Sequence, residues 1–367
     1  MEKPYSQWKG MMAIAKASLI AILRSPQAVF FSLFFPVVLI VIFGALSSGR
    51  GISLDVAFDS RSDTANTVYQ VIKKIPVLNV KKGDDKTIED LLKKGRITAI
   101  IEIHKAQPDG VTSAYDVHLK TTSAGQKDVP VLQSILRDVI GSINSRVAGA
   151  APGYATISSE EIQTRQYRAI DFYLPGMLGF SLIGAAVFGV AFVFFSLRET
   201  LVLKRMYATP IRRGYIVAGE SIGRIAFQLV TAVALIGFGV LFYHFTLANG
   251  WVTFVELLVL SLLGLLVFMG FGFVISSVAK NQNVIPVYAN LFMFPQYFLS
   301  GTFFSRAALP QGIQPMLKYL PLTALNDAMR KVSFEGLHLW NVWSEIVILV
   351  VWCVVIYVIA AKVFKWD

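Results

Sequence analysis

Cysteine occurs once in this chain of 367 residues, as Cys353 inside an apolar run. A single thiol supports neither a disulfide framework nor a cysteine-based metal site. Charge is also scarce. Asp, Glu, Lys and Arg make up 16% of the residues, whereas soluble domains carry about a quarter. The four histidines, His104, His118, His244 and His338, are scattered without metal-ligand spacing. No phosphate loop of the form GxxxxGK followed by Ser or Thr occurs, so the chain is not expected to hydrolyse ATP alone. No GxSxG nucleophile elbow occurs either. What remains is transport, anchoring or signalling rather than catalysis.

What the chain has in quantity is apolar surface: 55% of its residues are hydrophobic and the mean hydropathy is +0.59. Runs of about 20 apolar residues recur, each able to cross a hydrocarbon core of roughly 30 Å as a helix. A barrel would need alternating strands of about 10 residues instead. The formal net charge is +11. In a soluble protein that would indicate nucleic acid. Here Lys and Arg gather on loops, as cytoplasmic loops do, and no nucleic-acid partner is expected.

The stretch from Tyr5 to Arg24 reads as an amphipathic helix. Trp8, Met12, Ala15, Leu19 and Ile22 recur at three- and four-residue steps, and Lys9 and Lys16 lie off that stripe. Such a helix fits the membrane interface, with lipid as its partner. The alternative is a basic flank, ending at Arg24, that only orients the first span. That span covers 27–47 and contains Pro36. Its apolar run exceeds the roughly 7–15 residues of a secretion signal, so it reads as a retained anchor.

From 48 to 171 the composition changes to a nearly balanced mixture of charges. "ISLDVAFDS", "VLNVKK", "ITAIIEIH" and "TSAYDVHLKT" read as strands, with "TANTVYQVIKKI" and "KTIEDLLKKG" as helices between them. A closing amphipathic helix carries Val131, Ile135, Val139 and Ile143 at four-residue steps. This alternation predicts an inserted α/β domain large enough for its own core.

Five further spans are expected near 172–197, 216–245, 251–278, 284–304 and 342–363. A Pro-rich, half-apolar stretch, 305–336, is expected to re-enter the membrane from outside. The fold class is therefore an α-helical polytopic membrane protein. It has six transmembrane helices, an N-terminal interfacial helix and an extracytoplasmic α/β domain. Three domains follow: 1–47, 48–171 and 172–367. Lys3, Lys9, Lys16, Arg24, the basic loop 198–213, Lys280, Lys362 and Lys365 then share one side, which places both termini in the cytoplasm. Arg306, Lys318, Arg330 and Lys331 run against that asymmetry. Glu220 and Arg224, four apart, are expected to pair on one helix face near the interface. Glu256 and Glu345 lie near outer span ends. All four are expected to reach water or headgroups by snorkelling. Gly219 and Gly223 form a GxxxG, which permits close helix approach.

The loop "RETLVLKRMYATPIRR" (198–213) is basic and helical in its spacing. Arg198, Arg205 and Arg212 are seven apart, Leu201, Lys204, Tyr207 and Ala208 follow helical steps, and Pro210 ends the pattern. Two readings fit: positive charge that only holds the loop inside, or a docking helix for a cytoplasmic partner.

Here the sequence resembles the permease subunit of type-2 ATP-binding-cassette (ABC) exporters, over nearly the whole chain. Arg198, Glu199, Leu203, Thr209 and Pro210 fall on the family's "RE-x-GT-L-E-x-L-x-x-TP" segment, although Thr200 and Leu201 stand where Gly-Thr is usual. Pro295, Ser300, Gly301, Phe304, Pro310, Leu320, Pro321, Ala328 and Arg330 fall on its fifth-span signature. The order of parts is similar to the branch with a large external domain between the first two spans.

The resemblance implies a bacterial cytoplasmic (inner) membrane protein that is not itself an enzyme. A separate cytoplasmic ABC ATPase, carrying ATP and Mg, would receive Arg198, Glu199, Leu203, Lys204, Arg205, Tyr207, Thr209, Pro210 and Arg212. Trp8, Lys9, Met12, Lys16 and Arg24 would form the interfacial helix that it also pushes. A second permease, identical or a close paralogue, would complete a path lined by Phe180, Phe188, Asn290, Phe294 and Phe298. Ordinary helix packing explains each of those five equally well. An aromatic, nearly uncharged path suits a lipid-like or drug-like substrate, and the external domain could meet a periplasmic partner. No cofactor or metal bound directly is expected. The rival readings are an ion-coupled transporter, which would show an inverted repeat around a midplane charge, and an anchored sensor or envelope-organising protein.

Overall fold

The computed structural model describes residues 6–47, 54–64, 66–81, 83–93, 97–105, 115–122, 129–147, 155–162, 168–200, 211–304, 306, 309–310 and 312–363. The chain divides into two compact units. One consists of Met1–Ala45 with Ala169–Asp367, the other of Leu46–Arg168.

The smaller unit alternates strands and helices: β1 (Leu54–Phe58), α4 (Thr67–Lys73), β2 (Leu78–Lys81), α5 (Asp85–Lys93), β3 (Ala99–Lys105), β4 (Tyr115–Thr122), α6 (Val129–Val147) and β5 (Ala155–Ile162). The sheet order is β2-β1-β3-β4-β5. β1 runs parallel to β2 and β3, β3 antiparallel to β4, and β4 parallel to β5. Helices cover both faces, as parallel strands require. On one, Val68 and Ile72 of α4 and Leu132, Leu136 and Ile140 of α6 pack over Val56, Ile101, Ile103, Val117 and Leu119. On the other, Ile88 and Leu92 of α5 cover Ala57 and Ile100. The buried stripe of α6 is Leu132, Leu136, Ile140 and the expected Ile143, with the expected Val131, Ile135 and Val139 at its margin. β5 was not foreseen, because its Ser-Ser-Glu-Glu centre lacks the apolar alternation of a half-buried strand.

The larger unit is helical. α1 is Gln7–Leu23, α2 Pro26–Val29 and α3 Phe35–Ser47. After the α/β unit come α7 (Ala169–Glu199), α8 (Arg213–Tyr243), α9 (Trp251–Val278), α10 (Ile285–Leu299), α11 (Gln314–Leu317), α12 (Pro321–Arg330) and α13 (Trp343–Val363). Among the described residues, five helical stretches are long and apolar enough to cross a membrane: Pro26–Phe43, Ala169–Glu199, Gly214–Tyr243, Trp251–Val278 and Leu339–Val363. The expected crossing at 284–304 is not among them. α10 has 15 residues, about 22 Å at 1.5 Å per residue, against a core of roughly 30 Å. It stops because Gly301 takes a left-handed φ of 76°, a conformation that a side chain disfavours.

α7 and α9 form the centre. A Cβ on Gly272 of α9 would come within 2.7 Å of Val190 Cβ and 2.9 Å of the Val187 carbonyl oxygen in α7. The α2–α3 helix is more loosely attached and locally irregular. Phe30–Phe34 form a π turn, in which the Phe35 N–H reaches back to the Phe30 carbonyl. Pro36 offers no N–H to the Ser32 carbonyl one α-turn earlier. That carbonyl instead accepts from Ser181 Oγ of α7 at 2.6 Å, and Ser181 Oγ accepts from Gln228 Nε2 of α8 at 2.8 Å. All three residues are buried.

Two contacts lay the stretch before α13 back along that helix. Lys331, just after α12, pairs with Glu345 at the start of α13, at 2.6 Å. Trp352 Nε1, further along α13, donates to the Tyr319 carbonyl, just before α12, at 2.8 Å. Seven α13 residues separate the two levels, about 10 Å of rise, so α12 climbs back over that depth. Its core side chains, Leu322, Ala324, Leu325, Ala328 and Met329, are fully buried. Asn326 Nδ2 donates to Thr302 Oγ1 at 3.0 Å. A Cβ on Gly179 of α7 would overlap Asn326 Oδ1. Arg330 Nη2 donates to the carbonyls of Gly301 at 2.6 Å and Phe172 at 3.0 Å, closing the turn after α10.

The Ser32–Ser181 bond predicts a non-additive pair. Ser181→Ala leaves a buried carbonyl without its donor and should lower stability by about 1–3 kcal/mol. Pro36→Ala returns an N–H to that helix. The double variant should therefore lose less than the sum of the singles in thermal unfolding in detergent. Strict additivity would mean that Pro36 does not create the need for Ser181.

Candidate coupling site and transport path

The end of α7 carries Arg198 and Glu199. Arg198 turns inward, where Nη2 donates to the Ala279 carbonyl at 3.0 Å and Nη1 to that of Ser277 at 3.5 Å. These are carbonyls at the C-terminal end of α9, which have no intrahelical donor and attract cations. The guanidinium also stacks 5.2 Å from the Phe195 ring centroid. Arg198 thus fastens α7 to α9, while Glu199 beside it is exposed. Leu203, Lys204, Arg205, Tyr207, Thr209 and Pro210 lie outside the described residues. At the other end, Arg212 is exposed and precedes the first turn of α8 in an extended conformation.

α1 is seated along the start of α8. The Arg212 backbone N–H donates to Gln7 Oε1 at 2.9 Å, so α1 caps α8. The GxxxG then lets the two backbones meet. A Cβ on Gly219 would lie 2.6 Å from the Met11 carbonyl oxygen, and one on Gly223 2.5 Å from that of Ala15. This corrects the expected apolar stripe of α1. Ala15 faces α8 together with Met11 and Ser18, while Trp8 and Met12 are exposed on the opposite edge. Lys9, Lys16 and Arg24 are exposed beside them. An exposed apolar edge next to a basic one is the surface an interfacial helix needs.

The ionisable groups expected to snorkel do not. Arg224 and Glu220 pair at 3.1 Å with side chains only 13% and 12% exposed. A Cβ on Gly189 of α7 would overlap the Arg224 guanidinium, so the small glycine gives the pair its place between the helices. Glu256, 8% exposed, accepts from the Leu339 N–H and meets His338 Nδ1 at 3.1 Å. Glu345 is taken by Lys331. Each has a polar partner within the protein, as withdrawal from water favours.

Of the path candidates, Phe180 joins an aromatic cluster: its ring lies 4.4 Å from Tyr297, 5.7 Å from Phe35 and 5.8 Å from Phe303, centroid to centroid. Phe298 approaches the same cluster through Phe303, at 6.2 Å. Phe188 instead stacks on Phe192, at 6.0 Å, further along α7. Asn290 is half-buried on α10. Phe294 and Phe298 are exposed, and with Val287 and Leu291 they make one apolar stripe along α10, at three- and four-residue steps. The structure therefore brings Phe180 and Phe298 to one cluster, aligns Phe294 with Phe298, and keeps Phe188 apart.

Gln7, Ser181 and Gln228 were not foreseen. The only sequence traces of their roles are Pro36, four residues after the carbonyl it cannot serve, and the glycine pair on α8.

The ABC-2 family transporter protein model matches residues 27–362. The chain is also similar to nodulation protein J of Rhizobium leguminosarum bv. trifolii. The two are 30% identical over 166 residues, 44% of this chain and 60% of that protein. Nodulation protein J of Rhizobium meliloti (strain 1021) is 27% identical over 178 residues, 46% of this chain and 66% of that protein. The aligned part is thus less than two thirds of either relative's length. The family match runs from α2 to the last turn of α13, and on that extent the chain belongs to the ABC-2 transporter family.

Proposed function

We propose that this chain is the membrane-spanning permease subunit of an ATP-driven exporter in a bacterial cytoplasmic membrane. A separate cytoplasmic ATPase binds and hydrolyses ATP with Mg and engages the 198–213 segment. The observation that carries this reading is the junction at the ends of that segment. Glu199 and Arg212, near its two ends, are exposed, and α1 is joined directly to its far end. A loop present only for topology has no need of such fastening.

α10, the turn at 300–302 and α12 together make the sixth crossing, as a broken helix whose freed backbone groups are met by Asn326 and Arg330. The exposed stripe of α10 faces a second permease across a shared path, with Phe180 and Phe298 at its wall. The apolar, aromatic character of that stripe supports a lipid-like or amphipathic substrate. The α/β unit stands outside the membrane, with both termini in the cytoplasm.

Two outcomes test this. Glu199→Arg reverses an exposed charge without touching a buried contact. It should lower ATP-dependent transport of a fluorescent lipid in proteoliposomes by about tenfold or more, equivalent to at least about 1.4 kcal/mol of coupling. Unchanged transport would remove Glu199 from the docking surface. In a Cys353→Ala background, Leu291→Cys should form a disulfide-linked dimer on mild oxidation in the membrane. A chain that stays monomeric under those conditions argues against α10 facing a second copy.

A further inference from the structure

Phe180, Gly184 and Phe188 follow one another at four-residue steps on a half-buried face of α7. Gly184 is the midpoint of that 31-residue helix. Among the described residues outside its own stretch of helix, a Cβ placed there would meet one atom within 4 Å. That atom is the Tyr297 hydroxyl of α10, at 3.4 Å. Gly184 thus leaves a notch between two rings, and the hydroxyl opens into it. The Tyr297 side chain is otherwise enclosed: the residue is 6% exposed, with its ring 4.4 Å from Phe180 and 6.4 Å from Phe303, centroid to centroid. Phe35 of α3 lies 5.7 Å from Phe180. A Tyr O–H withdrawn from water usually finds a partner. Among the described residues the Tyr297 hydroxyl has none, and unlike Thr323 Oγ1 of α12 it is not sealed in.

We propose that Tyr297 is a specificity-determining residue, whose hydroxyl donates a hydrogen bond to the acyl carbonyl of a lipid-like substrate seated in this notch. The inference rests on the permease reading and names the chemical group that the path selects. The rings of Phe180 and Phe188 offer dispersion contact to a hydrocarbon chain, with little to tell one chain from another. A phosphate is not the group selected. Phe35, Phe180, Gly184, Phe188, Tyr297 and Phe303 bring no cation, and a charge taken out of water needs a partner. A carbonyl needs only a donor, and the phenol supplies one. A site built around such a bond discriminates against the analogue that lacks the acceptor, because the donor is then left unmet.

An ester-linked phosphatidylcholine and its ether-linked analogue differ only in the carbonyls, and their binding to the purified full chain in detergent, followed by native mass spectrometry, tests this directly. The wild type should bind the ester about threefold to tenfold more tightly than the ether. Tyr297→Phe should bring the ester down to the ether level and leave the ether unchanged. Its unfolding temperature should not fall, since the hydroxyl it removes has no partner in the protein. Gly184→Ala keeps the hydroxyl but fills the notch at van der Waals distance, and Ala suits a helix better than Gly. It should lose the preference as well. Equal binding of the two lipids by the wild type overturns the proposal. So does a Tyr297→Phe variant that weakens both lipids alike or unfolds earlier, which would make the residue structural. A preference that survives Gly184→Ala overturns the notch as its place. Transport of the same two lipids in proteoliposomes with the ATPase tests the reading beneath it. A binding preference without ATP-dependent movement of either lipid overturns the permease reading and leaves the carbonyl site standing.

Discussion

Hydrocarbon offers no partner to an amide, so every interruption of a helix within the apolar unit must be closed by groups from elsewhere in the protein. Pro36 interrupts the first membrane helix, and Ser181 of α7 supplies the donor that the Ser32 carbonyl needs. Gly301 ends α10 early, and Arg330 returns from the far end of α12 to hold that carbonyl. α9 ends at Val278, and Arg198 covers its last carbonyls. α8 begins at Arg213, and Gln7 receives the N–H just before it. Unmet backbone groups, within the apolar core and at the ends of α8 and α9, thus generate long-range connections of the unit. Where one helix breaks, another becomes attached.

These connections bear on transport because they leave some surfaces fixed and others free. α7, α9 and α12 are buried along most of their length. α2–α3, α10 and α13 keep long apolar faces exposed, including Phe30, Phe31 and Phe34 on the first and Phe294 and Phe298 on α10. A buried centre with exposed aromatic helices at its margin is consistent with the second permease proposed above. The ion pairs reinforce the centre. Glu220–Arg224 and Lys331–Glu345 remove charge from the lipid-facing surface without leaving it unpaired.

Much of this architecture was legible in the sequence. Hydropathy located the long helices because a span of about 20 apolar residues has few other readings. Strand alternation located β1 to β4. The length of α10 was not legible: the apolar run continues through Ser300 and Gly301, and hydropathy does not register a left-handed glycine. β5 was missed because an edge strand paired on one side tolerates a polar centre. The candidate site divided similarly. Its residues announced themselves by charge and motif, but charge does not say which way a side chain turns. Arg198 points inward to α9, and Arg224 is enclosed, although both read as basic residues near an interface. Gln7 carried no signal, since its partner is a backbone N–H 205 residues away.

That separation has a consequence for how the protein is made. The face of α1 formed by Met11, Ala15 and Ser18 finds its place only against Gly219 and Gly223. At about 5–20 residues per second, the matching part of α8 leaves the ribosome roughly 10–40 s after α1 does. In that interval the first membrane helix, the whole α/β unit and α7 are synthesised. Until then the packing face of α1 is unfilled, and an amphipathic helix of this kind is suited to a membrane surface. Its exposed Trp8 and Met12 beside Lys9 and Lys16 give it somewhere to wait. The amphipathic edge would then serve twice, first as a mooring during synthesis and later as the outer surface of the assembled subunit.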